Sequence, residues 1–131
     1  MSEFSAKIYK LRIEPHPNAD RLDLAYVNDF VTIVGKGQFK TGDYGVYLQE
    51  NSIVPDWLLK SINLWDEQRG CGKLDGGAHN KVKAKSLRGI FSVGLIYPVV
   101  NNGNSEHLEI INEFDNYIGP FKEGDDVASV L

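Results

Sequence analysis

The chain has 131 residues, 14 Lys and Arg against 18 Asp and Glu, and a formal net charge of −4. That length holds one core and not two, and no window approaches the roughly 18 consecutive apolar residues of a membrane span. The opening MSEFSAKIYK lacks the layout of a signal peptide, and the lone Cys71 offers neither an internal disulfide nor a thiolate zinc cluster. An intracellular location, cytoplasmic or nuclear, is expected.

AKIYKLRIEPHP sets Ile8, Leu11 and Ile13 among basic residues and predicts one strand ended by Pro15 and Pro17. HPNADR is loop chemistry. LDLAYVNDFVTIVG is rich in β-branched and aromatic residues and predicts two strands joined at Asn28-Asp29. KTGDYGVYLQ predicts a turn at Gly42-Asp43 and then a strand. VPDWLLKSI has Pro55 at a first helical position before one or two helical turns. Glycine and polar residues without a period predict a long mobile loop over 63–80.

KVKAKSL alternates by two, with Lys81, Lys83 and Lys85 on one face and Val82 and Ala84 on the other, which predicts a strand with a cationic outer face. IFSVGLIYPVV is the most apolar stretch and predicts a buried strand. A loop with a short helix near 106–113 follows, and KEGDDVASVL closes the chain. FKTGD at 39–43 and FKEGD at 121–125 spell the same turn twice. The result is a single all-β domain over 1–131: a small barrel, closed or partly open, of five or six strands with one or two short helices. An open β-sandwich is the competing arrangement. A barrel of this size binds on its outer strand face and loops.

The charge is uneven. From Ser105 onward seven acids stand against Lys122, so segment 105–131 carries −6 and residues 1–104 carry +2. Lys81, Lys83, Lys85 and Arg88 fall within eight residues with no acid among them. On a strand the three lysines repeat about every 6.6 Å, close to the spacing of successive phosphates, which makes them candidate nucleic-acid contacts. Lysines on a solvated strand face also discourage edge aggregation. Lys36 and Lys40, flanking KGQF, are a second candidate contact, and Phe39 between them either stacks on a base or packs in the core.

His16, Asn18, Asp20 and Arg21 lack further His or Cys at zinc spacing. Their expected role is architectural: Asn18 and Asp20 fix a tight loop through their backbone, and Arg21 pairs with a carboxylate. Gly89 and Gly94 flank IFSV and imply a bulge or a close backbone approach, with Ser92 bonding nearby backbone. Trp57 is expected to pack the short helix, while Trp65 is open to a partner. His79 and His107 are expected in solvent. Lys73-Leu74-Asp75-Gly76 fits K-x-D-G, in which a nucleotidyltransferase lysine carries a nucleotide. That chemistry also needs downstream carboxylates and distal lysines, and only about 58 residues follow Lys73. Lys73 reads as an exposed loop residue, and no catalytic or metal-binding residue is assigned.

IEPHPNADRLDLAYV resembles the opening of tRNA-binding OB domains, both those of phenylalanyl-tRNA synthetase β chains and free-standing modules. It also resembles the N-terminal OB-fold module of a family of ATP-dependent RNA ligases, in which a nucleotidyltransferase domain follows the barrel. KAKSLRGIFSVGL, with Arg88-Gly89 and then Ser92 to Leu95, is similar in both groups. VYLQENSIVPDWL and EGDDVASVL look like the ligase family. The resemblance covers most of the chain, least over 60–80 and 100–118, and lacks the catalytic domain that the family places after it. It implies an accessory OB-fold-like barrel that holds RNA or an RNA-containing duplex beside a C-terminal nucleotidyltransferase domain. This chain would be a monomer with no cofactor or catalysis of its own, ATP and a divalent metal belonging to the presumed ligase domain. A tRNA-binding module of synthetase type and a protein-interaction barrel docking through its acidic C-terminal stretch are the alternatives.

Overall fold

The computed structural model describes residues 6–62, 64–100, 106–112 and 114–128. The first predicted strand is two, β1 (Ala6–Lys10) and β2 (Arg12–Pro15). The bend between them is Leu11, whose N–H donates to Asp43 O (2.8 Å) while its carbonyl accepts from Gly42 N–H (2.9 Å). A backbone whose groups turn to the 41–43 turn cannot continue one ladder, so the halves pair with different neighbours. β3 (Leu22–Val27) and β4 (Phe30–Gly35) form the expected hairpin, Val27 opposite Phe30, with Asn28 in the left-handed region at φ 53°. β5 (Tyr44–Leu48) follows the Gly42-Asp43 turn, and α1 (Asp56–Ser61) begins directly after Pro55.

Four expectations change beyond this point. The long loop carries a small hairpin, β6 (Trp65–Asp66) with β7 (Cys71–Gly72). Its turn is held by Asp66 Oδ1, which accepts from the N–H groups of Gln68 and Arg69. KVKAKSL is strand only at β8 (Lys85–Leu87). Before it, Val82 N–H donates to Ser52 O and Val82 O accepts from Asn51 N–H, so segment 81–84 is tied to the 51–54 loop instead of a strand neighbour. The apolar run 90–98 breaks at Val93-Gly94 into β9 (Ile90–Ser92) and β10 (Leu95–Pro98), and Phe91 is 61% exposed rather than buried. The helix expected near 106–113 is instead β11 (Leu108–Ile111), paired with β12 (Tyr117–Phe121). Leu108 and Ile110 are fully buried while Glu109 and Ile111 are not, the period of a strand. Glu113 and residues 101–105, which that reading also touched, lie outside the described residues, as do 129–131.

The ladders run β2-β3-β4 and β1-β5-β10. Because β1 and β2 are continuous, these two sheets share a corner at Leu11. Across the opposite gap, Val93 N–H donates to Val31 O (2.8 Å), Thr32 Oγ1 donates to Val93 O (2.6 Å), and Ile33 N–H donates to Ser92 Oγ (2.9 Å). The circuit is therefore β1 and β2 as one bent strand, β3, β4, the 90–98 run, β5 and back to β1: an all-β, partly open barrel. Its interior holds Leu11, Ala25, Val27, Val34, Phe39, Tyr47 and Ile96. Phe39 is thus core and not a base-stacking residue.

A second apolar cluster lies on the outside of the β1-β5-β10 sheet. Ile8, Val46 and Leu48 meet Leu58 and Leu59 of α1, Val82, Leu108, Ile110 and Val127 there. Trp57 packs against this cluster edge-on to Tyr97, and half-buried Trp65 lies under Lys60. All five residues of β5 are buried, because one face lines the barrel and the other the outer cluster. The acidic C-terminal stretch is structural at its end: Gly124 N–H donates to Ile8 O, Ile8 N–H to Asp125 O and Val127 N–H to Ala6 O, with Val127 buried.

Candidate nucleic-acid interface

The loop that opens with HPNADR is built around a histidine. His16 is buried, and its Nδ1 accepts from the Asn18 N–H (3.0 Å), so the proton of the neutral ring sits on Nε2. Asn18 Nδ2 donates to Arg88 O (2.8 Å), which ties this loop to the β8–β9 turn. Arg88 and Gly89 take positive φ there, 54° and 85°. Asp20 and Arg21 are exposed, and among the described residues no ion pair joins Arg21. The organising carboxylate is Asp23, not singled out above: it is buried, accepts from Gly37 N–H (2.9 Å) and lies 3.6 Å from Lys36 Nζ. The signal was available, since an acid inside an apolar strand next to a Gly-rich turn has backbone N–H groups to accept.

Between β4, the segment 62–86 and the 92–96 run lies a cavity of about 430 Å³. Leu22, Ile33, Leu64, Leu74 and Leu95 supply its apolar wall, and Lys73, Lys83 and Lys85 its cations, against one acid, Asp75. Lys85 Nζ is 3.3 Å from Asp75, and both side chains are substantially exposed. Such a pair contributes at most about 1 kcal/mol, so an incoming phosphate competes with it readily. Lys83 Nζ donates to the neutral Asn51 Oδ1 (2.7 Å), which leaves its charge uncompensated. Ser92 and Gly94 form the floor. Ser92 Oγ is occupied by the Ile33 N–H, and Gly94, at φ 87°, lies against the Tyr47 ring.

Of the sequence-selected cations, the fold brings Lys83 and Lys85 to this cavity and adds Lys73 from the K-x-D-G stretch. Lys81 is half-buried and bridged through its backbone to Ile53 and Asp75. Arg88 is exposed on the adjoining turn. Lys36 is exposed just past β4, and Lys40 stands in the separate turn that Asp43 holds through the Lys40 N–H. His79 lies half-buried, its Nε2 3.3 Å from Arg69, and His107 is exposed. Lys73 is exposed, and Asp75 is the one carboxylate among the described residues that line the cavity with it. Among the described residues no three His, Cys, Asp or Glu side chains gather to hold a metal ion, and no helix is long and apolar enough to cross a membrane.

Residues 6–99 match the family model of an OB-fold domain. Among solved structures, a lysine-to-methionine variant of the Naegleria gruberi RNA ligase with AMP and Mn is similar over 96% of this chain and 33% of that one, at 25% identity and a TM-score of 0.65. The same ligase with PPi is similar over 71% of this chain and 27% of that one, at 27% identity and a TM-score of 0.54. The chain therefore spans about a quarter to a third of those structures' length. No curated protein matches it.

Proposed function

Because the chain belongs to this OB-fold domain family, we propose that it is an RNA-binding accessory module of an RNA ligase-like protein, which positions RNA for a nucleotidyltransferase domain outside this chain. The observation that carries the reading is the likeness to an RNA ligase across nearly the whole chain. The lysine-rimmed cavity supports it. Lys83, Lys85 and Lys73, with Arg88 and Lys36 on the flanks, provide cations for a phosphate backbone, and the loop of His16 and Asn18 holds the Arg88 turn in place. Lys40 and Lys81 are peripheral to that track.

The mechanism is electrostatic positioning. In this reading ATP and a divalent metal belong to the catalytic domain outside this chain, and no bond-making step is assigned to the module itself. The test is titration of a nicked RNA–DNA duplex and of a tRNA at two salt concentrations. The reading expects salt-dependent binding of the nicked duplex. A clear preference for tRNA points to a synthetase-type module instead, and flat curves for both overturn the RNA-binding role.

A further inference from the structure

A second cavity, about 450 Å³, lies between β1, the β3–β4 turn and the 47–51 segment. Its wall is aromatic. Phe30, at the corner of the β3–β4 hairpin, is 50% exposed and lies nearly parallel to Tyr47, with 14° between planes and ring centroids 5.9 Å apart. Tyr9 stands edge-on to the same Tyr47, at 77° and 6.1 Å. Phe30 is one of five large apolar side chains exposed among the described residues, and of the five it alone lines this cavity. The volume falls in the range of small-ligand sites.

The rim is polar and fits a nucleobase edge better than an apolar ligand. Asn28, Asn51 and Lys7 line it and are exposed. Asn51 Oδ1 already accepts from Lys83, so its Nδ2 is the group that donates to a base. Glu50 also lines the cavity. Its carboxylate repels a phosphate inside and accepts from an exocyclic amino group. The Asn51–Lys83 bond also joins the two cavities, since Lys83 lines the first and Asn51 the second, and Val93 of the second sits between Ser92 and Gly94 of the first.

We propose that this cavity is a stacking subsite for one unpaired nucleotide of the RNA whose backbone lies on Lys83 and Lys85. Phe30 supplies the stacking face, Asn28 and Asn51 meet the base edge, and Lys7 meets a flanking phosphate. The subsite rests on the RNA-binding reading above and makes it specific: the module prefers RNA with a single-stranded overhang to a blunt duplex.

The experiment uses the whole 131-residue chain and two RNAs with the same duplex, one blunt and one with a short overhang carrying 2-aminopurine. Stacking on one aromatic ring is expected to set a difference of about 5- to 150-fold in affinity. Phe30→Ala should weaken binding of the overhang RNA by that factor and leave the blunt duplex unchanged. Phe30→Trp should retain it, and 2-aminopurine fluorescence should be quenched by the wild type and not by Phe30→Ala. Phe30→Leu keeps apolar bulk without a ring, so its behaving like Phe30→Ala assigns the effect to stacking and not to folding. Unchanged overhang binding by Phe30→Ala, or equal loss on both RNAs by a folded variant, overturns the subsite while RNA binding stands. Binding of neither RNA by the wild type at low salt overturns both readings.

Discussion

A β-carbon built on Gly94 would lie 2.5 Å from the ring of Tyr47, and the backbone there has φ 87°. The Tyr47 hydroxyl donates to Val93 O (3.1 Å), so a shift of the ring away from residue 94 costs that bond. Gly94→Ala should therefore destabilise the fold by about 2–5 kcal/mol, from overpacking and left-handed strain together. Urea unfolding measures it, and a loss below about 1 kcal/mol would show that the ring gives way.

At the basic cavity, Lys83→Ala and Lys85→Ala should each weaken RNA binding without unfolding the barrel, since both side chains are exposed. Each removed phosphate contact should flatten the salt dependence by about 0.7 for a single strand. Asp75→Asn should act in the opposite direction and tighten binding, because it releases Lys85 from its carboxylate partner. Weaker binding by Asp75→Asn would place the phosphate track elsewhere.

Lys73 should not take up a nucleotide. Incubation of the chain with labelled ATP or GTP and a divalent metal should leave no adduct that survives denaturation. An adduct abolished by Lys73→Ala would mean that the K-x-D-G stretch is a working nucleophile.

Two buried tyrosines give the fold a dependence on alkaline pH. Burial raises the pKa of Tyr97 above the ordinary 10.0, and burial together with Glu50 and Tyr9 does the same for Tyr47. In the unfolded chain both ionise first, so the folded state holds more protons once the pH exceeds about 10. Stability is then complete below pH 10 and falls as the pH rises toward the folded values. Tyr97 also donates to Ile111 O (2.5 Å). Tyr97→Phe should cost about 1 kcal/mol at neutral pH and make the alkaline decline shallower. A decline of unchanged steepness in both Tyr97→Phe and Tyr47→Phe would exclude these groups as its source.

Removing residues 126–131 deletes Val127, which is buried against β1 and bonded to Ala6. The truncated chain should be less stable by about 1–3 kcal/mol, measurable as a lower thermal midpoint. RNA affinity at a temperature where it remains folded should not fall. Wild-type stability in the truncated chain would mean that the strap is incidental.

The strands from β3 to β5 were legible because β-branched residues, Asn28-Asp29 and Gly42-Asp43 specify local geometry through nearest neighbours. The reading failed where distant partners decide. KVKAKSL alternates like a strand, yet Val82 takes its backbone bonds from Ser52 and Asn51, some thirty positions away in the chain. A short helix was expected near 106–113, but Leu108 and Ile110 obey the β-period set by β12 and Val100. For the basic cavity, lysine type and spacing were visible in Lys83 and Lys85. The convergence of Lys73, and the roles of Asp23, Asp75 and Asn51, exist only once loops far apart in sequence are folded onto one another.

β5 serves two cores at once, Tyr47 facing the barrel interior and Val46 and Leu48 facing α1. A wall shared in this way couples the fate of the layers on either side. Melting the helical cover bares Val46 and Leu48, and melting the barrel bares Tyr47, so either event strips one face of the same strand. Heat or urea should therefore take the domain apart in a single cooperative step, with tryptophan fluorescence from the outer layer and far-UV signal from the strands changing at the same midpoint.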